Sequence, residues 1–259
     1  MDNSLENAAI KPVKPSILPA MLASLRGAPY IPLIIIVVFV LCAILADLIT
    51  TKDAYSVQLP NRLIPPFWQE GGSLNHPLGT DPLGRDILTR IIFGARVSVI
   101  IAVTALTIGG GIGTLIGLTA GFYGGKIDTL LMRFADITLA FPLILFAILL
   151  VMVLGPSMLN VIIAISLVLW ARYARVIRGE VLGLMQRDFI ARAKVSGASD
   201  WRIMMRHLLP NVMPTLIVLL TLQVGWVIIV EASLSFLGAG IPPPPPASVS
   251  YTHLRAHET

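Results

Sequence analysis

His253 and His257 stand four residues apart, a spacing that on a helix turns two imidazoles to one side, where they could share a zinc ion. The glutamate that follows the first histidine in H-E-x-x-H is absent and no third ligand is evident, so the pair does not define a metal centre. Asp81 and Asp86 in "HPLGTDPLGRD" are paired carboxylates of the kind that acid–base catalysis uses. Arg85 and Arg90 beside them offer simple ion pairing instead, and the prolines and glycines make the stretch a turn-rich connection. Glu231, Asn160 and Gln223 lie within or at the edge of long apolar runs, where polar groups are costly unless paired or wetted. Glu231 could relay protons, but no second acid or histidine lies in those runs to pass them on, so pairing at the boundary is expected. "GGGIGTLIG" has the glycine density of a phosphate-cradling loop without the G-x-G-x-x-G spacing or a preceding strand. No catalytic centre emerges, and the lone Cys42 excludes a disulfide within one chain.

The elements that hold these residues are membrane elements. Hydrophobic residues make up 56% of the chain and charged residues 13%, with a mean hydropathy of +0.84; an average soluble domain is about a quarter charged. A spanning helix needs about 20 mostly apolar residues, because backbone polar groups in hydrocarbon must be paired internally. Five runs qualify: Tyr30 to Leu48, Val97 to Thr119, Leu139 to Leu154, Leu159 to Tyr173 and Val212 to Val230. The third and fourth are short and joined by Gly155, Pro156 and Ser157, which reads as a helical hairpin with an uncharged turn. The first follows Lys11, Lys14 and Arg26 as a secretory signal would, but it is long and lacks a clear cleavage site, so it reads as a retained span. The fold class is all-α, a polytopic transmembrane helical bundle.

Placing the N-terminus in the cytoplasm puts thirteen Lys and Arg residues inside and five outside, and the positive-inside rule favours that orientation. The net charge of +5 and pI near 9.7 follow from these membrane-flanking loops. No basic face interleaved with aromatics accompanies them, so nucleic acid is not an expected partner.

Gly109, Gly113, Gly117 and Gly121 recur every four residues and form a stripe along one helix face. Such a stripe lets a second backbone come close. Packing within the chain and a surface that slides against a neighbour are both compatible with it.

Between the fourth and fifth runs lies "RAKVSGASDWRIMMRHLLPN", residues 192–211. Gln186 to Ser196 can form a helix stopped by Gly197. Ser199 or Asp200 can cap a second short helix through Leu208 that Pro210 ends. An interfacial hairpin on anionic headgroups and a protein-docking element both fit this helix–hinge–helix. The small residues Ala191, Ala193, Gly197 and Ala198 leave room for a partner and favour docking.

"ARAKVSGASDWRIMMRHLLP" in this loop resembles the coupling loop of ATP-binding-cassette importer permeases. "HPLGTDPLGRDILTRIIFGARVSV" before the second span, "AGFYGGKIDTLLMRFADITLAFP" after it and "EASLSFLGAGIPPPPP" after the fifth stand in family order and resemble the C-type permease subunit of dipeptide, oligopeptide and nickel importers. The resemblance implies a non-catalytic half of a translocation pore in the bacterial inner membrane, multi-pass, with no cofactor of its own because ATP is bound by partner subunits. It implies a second permease, two ATP-binding-cassette ATPases and an extracytoplasmic binding protein as partners. By position it assigns Ala191, Ala193, Gly197, Asp200, Leu209 and Pro210 to ATPase coupling. Where the family loop commonly begins Glu-Ala-Ala, this chain has Ala191, Arg192 and Ala193.

The chain then divides into a cytoplasmic segment 1–29, a permease domain 30–246 with its coupling loop at 174–211, and a tail 247–259. "ASVSYTHLRAHET" departs from the family pattern where an extracytoplasmic segment and a sixth span are expected, and reads as a foreign sequence joined to a truncated frame. Import of peptides is the expected function. A nickel or other small-solute importer of the same family, an ion-coupled secondary transporter and a membrane scaffold are the alternatives.

Overall fold

The computed structural model describes residues 30–50, 52–238 and 240; the expectations for residues 1–29 and for the tail with His253 and His257 lie outside them. The described chain is helical, with two isolated β-bridges, Ser73 with His76 and Thr80 with Asp86, as its strand-like pairing. The helices are α1 (Tyr30–Ile44), α2 (Ala46–Ile49), α3 (Ile87–Tyr123), α4 (Gly125–Ala140), α5 (Leu143–Leu154), α6 (Met158–Met185), α7 (Asp188–Val195), α8 (Asp200–Ile203) and α9 (Leu209–Phe236). A π-helical turn, Met204–Leu208, joins α8 to α9.

The five apolar runs fall on helices, but the first is interrupted at Leu45 and the third at Phe141 and Pro142, and their bounds differ from the hydropathy reading. Three helices are long and apolar enough to span a bilayer: Ile87–Tyr123, Met158–Met185 and the continuous stretch Asp200–Phe236. A fourth span exists only if α4 and α5, which meet at 91°, count as one. Pro142 causes that break, since it forces Phe141 out of the helical region to an extended ψ of 142°. α1 offers a shorter apolar helix over its described residues. The run expected to stop at Tyr173 continues to Met185, so Arg175, Arg178 and residues up to 185 of the expected loop belong to α6.

α3 packs most extensively on α6, and the two run parallel. α9 lies antiparallel to both, since Ser98 meets Glu231 at one end and Glu180 meets Thr215 at the other. Ala102, Ala105 and Leu118 of α3 and Ile165, Leu169, Tyr173, Ile177 and Val181 of α6 form the spine of the core. Arg96 on α3 donates to the carbonyls of Ala43 and Ile44 and to Asp47, which satisfies the last turn of α1 and ties it to the bundle.

The 52–86 connection is ordered by its charged groups. Arg85 Nε and Arg90 Nη1 both reach Asp81 Oδ2, at 2.7 and 2.6 Å. Asp86 caps α3 by accepting from the Thr89 N–H and hydroxyl, and its other oxygen meets His76 Nδ1 at 2.9 Å. The two carboxylates are thus separate structural anchors rather than a catalytic pair. Burial pushes the Asp81 carboxyl up, but hydrogen bonds from Arg85 and from the Leu83 N–H pull it below the ordinary value. Burial likewise raises Asp86, and Thr89, His76 and the Lys52 charge outweigh it.

Candidate coupling loop and its polar surroundings

The loop between α6 and α9 is built on a row of apolar anchors. Ile190, Ile203, Met204, Leu208 and Val212 are buried and join the core cluster, with Phe189, Ala193 and Ala198 packed against it. Lys194 Nζ lies 5.7 Å from the Phe122 ring and holds α7 to the end of α3. α7 ends at Gly197, whose φ is +74°. The Gly197 N–H donates to Lys194 O and the Ala198 N–H to Ala193 O, the paired bonds of a Schellman stop. A Cβ at Gly197 would meet nothing within 4 Å, so conformation rather than space demands glycine here. Ser199 then caps α8 by accepting from the Arg202 N–H.

Pro210 does not end the second helix. It sits in the first turn of α9, directly after the π turn. The wider turn accommodates the proline ring where it would press on the carbonyl four residues back. Asn211 Nδ2 donates to His207 O at 2.6 Å beside it. The consequence is mechanical: α8, the π turn and α9 form one rod of 37 residues.

Of the residues assigned to coupling, Ala191, Gly197, Asp200 and Pro210 are exposed, whereas Ala193 and Leu209 are half-buried. Two residues not singled out from the sequence share the exposed side: Val195 is 91% exposed and Trp201 65%. Val195 stands four residues after Ala191 on the same helix face, a spacing that could have pointed to it.

The glycine stripe lies against α6. A Cβ at Gly113 would stand 2.4 Å from Trp170 O, at Gly117 2.6 Å from Ala174 O, at Gly121 2.7 Å from Val181 Cγ1 and at Gly109 3.0 Å from Ser166 O. Gly111, off the stripe, has nothing within 4 Å. The close approach is therefore within this chain.

Three other polar residues have definite places. Asn160 Nδ2 donates to Leu154 O and Gly155 O and closes the turn after α5, while Ser157 caps α6. Gln223 Oε1 is buried without a hydrogen-bond partner among the described residues. Glu231 accepts from the Ser98 and Ser235 hydroxyls. Arg178 holds Asp128 of α4 through two hydrogen bonds, and Arg175 meets Asp136 one helical stretch on. No group of three His, Cys, Asp or Glu side chains that could hold a metal comes together among the described residues.

A bundle of apolar spans with an exposed helical loop anchored between two of them is the architecture of a membrane transport component. A family model described as binding-protein-dependent transport system inner membrane component matches residues 113–252. The di/tripeptide transport system permease protein DppC of Pseudomonas aeruginosa (strain UCBPP-PA14) is 40% identical over 214 residues, 83% of this chain and 71% of that protein. The dipeptide transport system permease protein DppC of Alkalihalophilus pseudofirmus is 44% identical over 214 residues, 83% and 68% of the two chains. The glutathione transport system permease protein GsiD of Shigella flexneri serotype 5b is 49% identical over 176 residues, 68% and 58%. The chain belongs to the binding-protein-dependent transport system inner membrane component family, in the branch of the C-type peptide permeases.

Proposed function

We propose that this chain forms one half of the translocation pore of an ATP-driven peptide importer. The names of its relatives, for di/tripeptide, dipeptide and glutathione transport, support that substrate class. In this reading the N-terminus and the 186–199 loop are cytoplasmic and the 52–86 connection faces outward. A second, related permease completes the pore, two ATP-binding-cassette ATPases dock on the loop, and an extracytoplasmic binding protein delivers the peptide. ATP is bound by the partner subunits, and this chain performs no catalytic step and needs no cofactor.

The observation that carries the coupling role is the exposure of Val195 and Trp201 on a loop whose other side is fixed in the core. Ala191, Ala193, Gly197 and Asp200 form the docking face around them, and Leu209 and Pro210 begin the rod that moves. Closure of the ATPase pair pushes α8, and the continuous helix carries the displacement about 55 Å, at 1.5 Å per residue, toward the outer end of the pore. Reconstitution with all partners in proteoliposomes tests the reading. Uptake of labelled dialanine is expected to require ATP, the ATPases and the binding protein, whereas uptake driven by an ion gradient without them would overturn it.

A further inference from the structure

At the end of the bundle away from the coupling loop, a cavity of about 730 Å³ opens between the 52–86 connection, α3 and α9. Arg90, Ser98, Glu231 and Ser235 supply its polar wall, and Tyr55 and Phe93 its aromatic one. The volume lies in the range of small-molecule sites, about 300–1,000 Å³. Neither of its charged ends has a counter-charge to itself. Glu231 accepts one hydroxyl hydrogen bond on each oxygen, from Ser98 at 2.9 Å and Ser235 at 3.1 Å. These bonds fix the carboxylate without cancelling its charge, and none of the ion pairs among the described residues includes it. At the other wall, Arg85 and Arg90 share the single carboxylate of Asp81, two positive charges against one negative. The Arg90 side chain is 45% exposed and uses one of its five N–H donors on Asp81.

A carboxylate without a cation and a guanidinium with donors to spare, facing one cavity, are complementary to a molecule with a charge of opposite sign at each end. Burying either charge alone would be costly, but both are compensated when such a molecule enters. We propose that this cavity binds the two charged termini of a short peptide at the pore entrance, Glu231 receiving the α-ammonium and Arg90 the α-carboxylate. The proposal rests on the peptide-importer reading. It adds a selection step in the permease itself: a peptide blocked at either end meets an uncompensated charge.

Equilibrium binding to the complete transporter, purified with its partner permease and ATPases but without the binding protein, tests this directly. The probes are radiolabelled dialanine, its N-acetyl form and its C-terminal amide. The wild type is expected to prefer dialanine over each blocked form about tenfold, the scale of a lost charge-assisted hydrogen bond. Glu231→Gln removes the charge, keeping one serine hydroxyl as donor to its amide oxygen while the other turns to accept from its NH2, and should lose only the preference over the N-acetyl form. Arg90→Gln should lose only the preference over the amide, and Arg90→Lys should retain it. A purely structural role would weaken all three probes alike and leave the ratios unmoved. Unchanged ratios in both variants of a complex that imports dialanine once the binding protein is added back would overturn the site and leave the importer reading standing. A complex that neither binds dialanine nor imports it with the binding protein added back would overturn both.

Discussion

At Gly113 the backbone of α6 comes so near that a single methyl group would stand 2.4 Å from Trp170 O and 2.6 Å from Tyr173 Cβ. Both contacts belong to a core helix that cannot swing aside. Gly113→Ala is therefore expected to destabilise the chain by about 1–3 kcal/mol, the usual cost of overpacking. Gly111→Ala, with nothing within 4 Å, should be neutral or slightly stabilising. Thermal melting in detergent checks the contrast, and equal effects at the two sites would contradict it. Gly197 is constrained differently, by its φ of +74° in open space. Gly197→Ala should cost about 1 kcal/mol for the left-handed conformation, and Gly197→Pro should remove the stop altogether, because proline fixes φ near −65°. Ala191→Glu supplies the acidic residue that begins the coupling-loop pattern this segment resembles. It is expected to increase ATPase retention in pull-downs, and a decrease would argue against Ala191 as part of the docking face.

Among the elements, α4 is the one that hydropathy does not reveal. It is amphipathic rather than apolar, and besides the buried Ala135 it is tied to the bundle by an ion pair: the Arg178 guanidinium grips Asp128 with Nε at 2.9 Å and Nη2 at 2.5 Å. Asp128→Asn should loosen it by about 1.5–3 kcal/mol, the worth of hydrogen bonds to charged groups. Amide exchange across residues 125–140 should rise with little change in α6; unchanged exchange would show that the pair does not hold α4. Charges misled the sequence reading in a related way at α6, where Arg172, Arg175 and Arg178 end the apolar run but do not end the helix. Pro210 misled it too, because a π turn absorbs the ring that would otherwise stop the helix. The Gly197 stop and the glycine spacing were legible, since both follow from backbone geometry that residue type alone dictates. The 52–86 connection adds a pH dependence of definite sign. Asp81 and Asp86 both lie below the ordinary carboxylate value of 3.8 in the folded chain. Their stabilisation is therefore fully present above that value and lost as the pH falls from 3.8 through the lower folded values. Amide exchange of residues 55–86, corrected for intrinsic rate, should stay slow from pH 7 to 5 and accelerate below 3.8. Acceleration already between pH 7 and 5 would contradict the anchoring role.

Seen as a whole molecule, the chain divides its helices between inside and outside. In the apolar window of α6, 61% is buried against the rest of the chain, whereas the rod from Asp200 to Phe236 buries 17% of its window. α6 is thus the internal support, and the rod leaves most of its apolar surface facing away from the rest of the chain. Three of the five spans read from hydropathy are full-length helices, legible because hydrocarbon imposes internal backbone pairing on any run that crosses it; the run from Leu139 is broken at Pro142, which hydropathy does not register. The exposed pair Val195 and Trp201 was not, because exposure depends on which side of α7 and α8 the anchors Ile190, Ile203 and Leu208 occupy in three dimensions. The proposed coupling role has the ATPases push this rod at its α8 end. Co-purification in detergent tests this most directly, using the full chain with its partner permease and the importer ATPases and comparing the native loop with Gly197→Pro. Loss of the ATPases from the variant while the partner permease still co-purifies is the expected result; equal ATPase retention by both chains, or its absence from both, would contradict the coupling role.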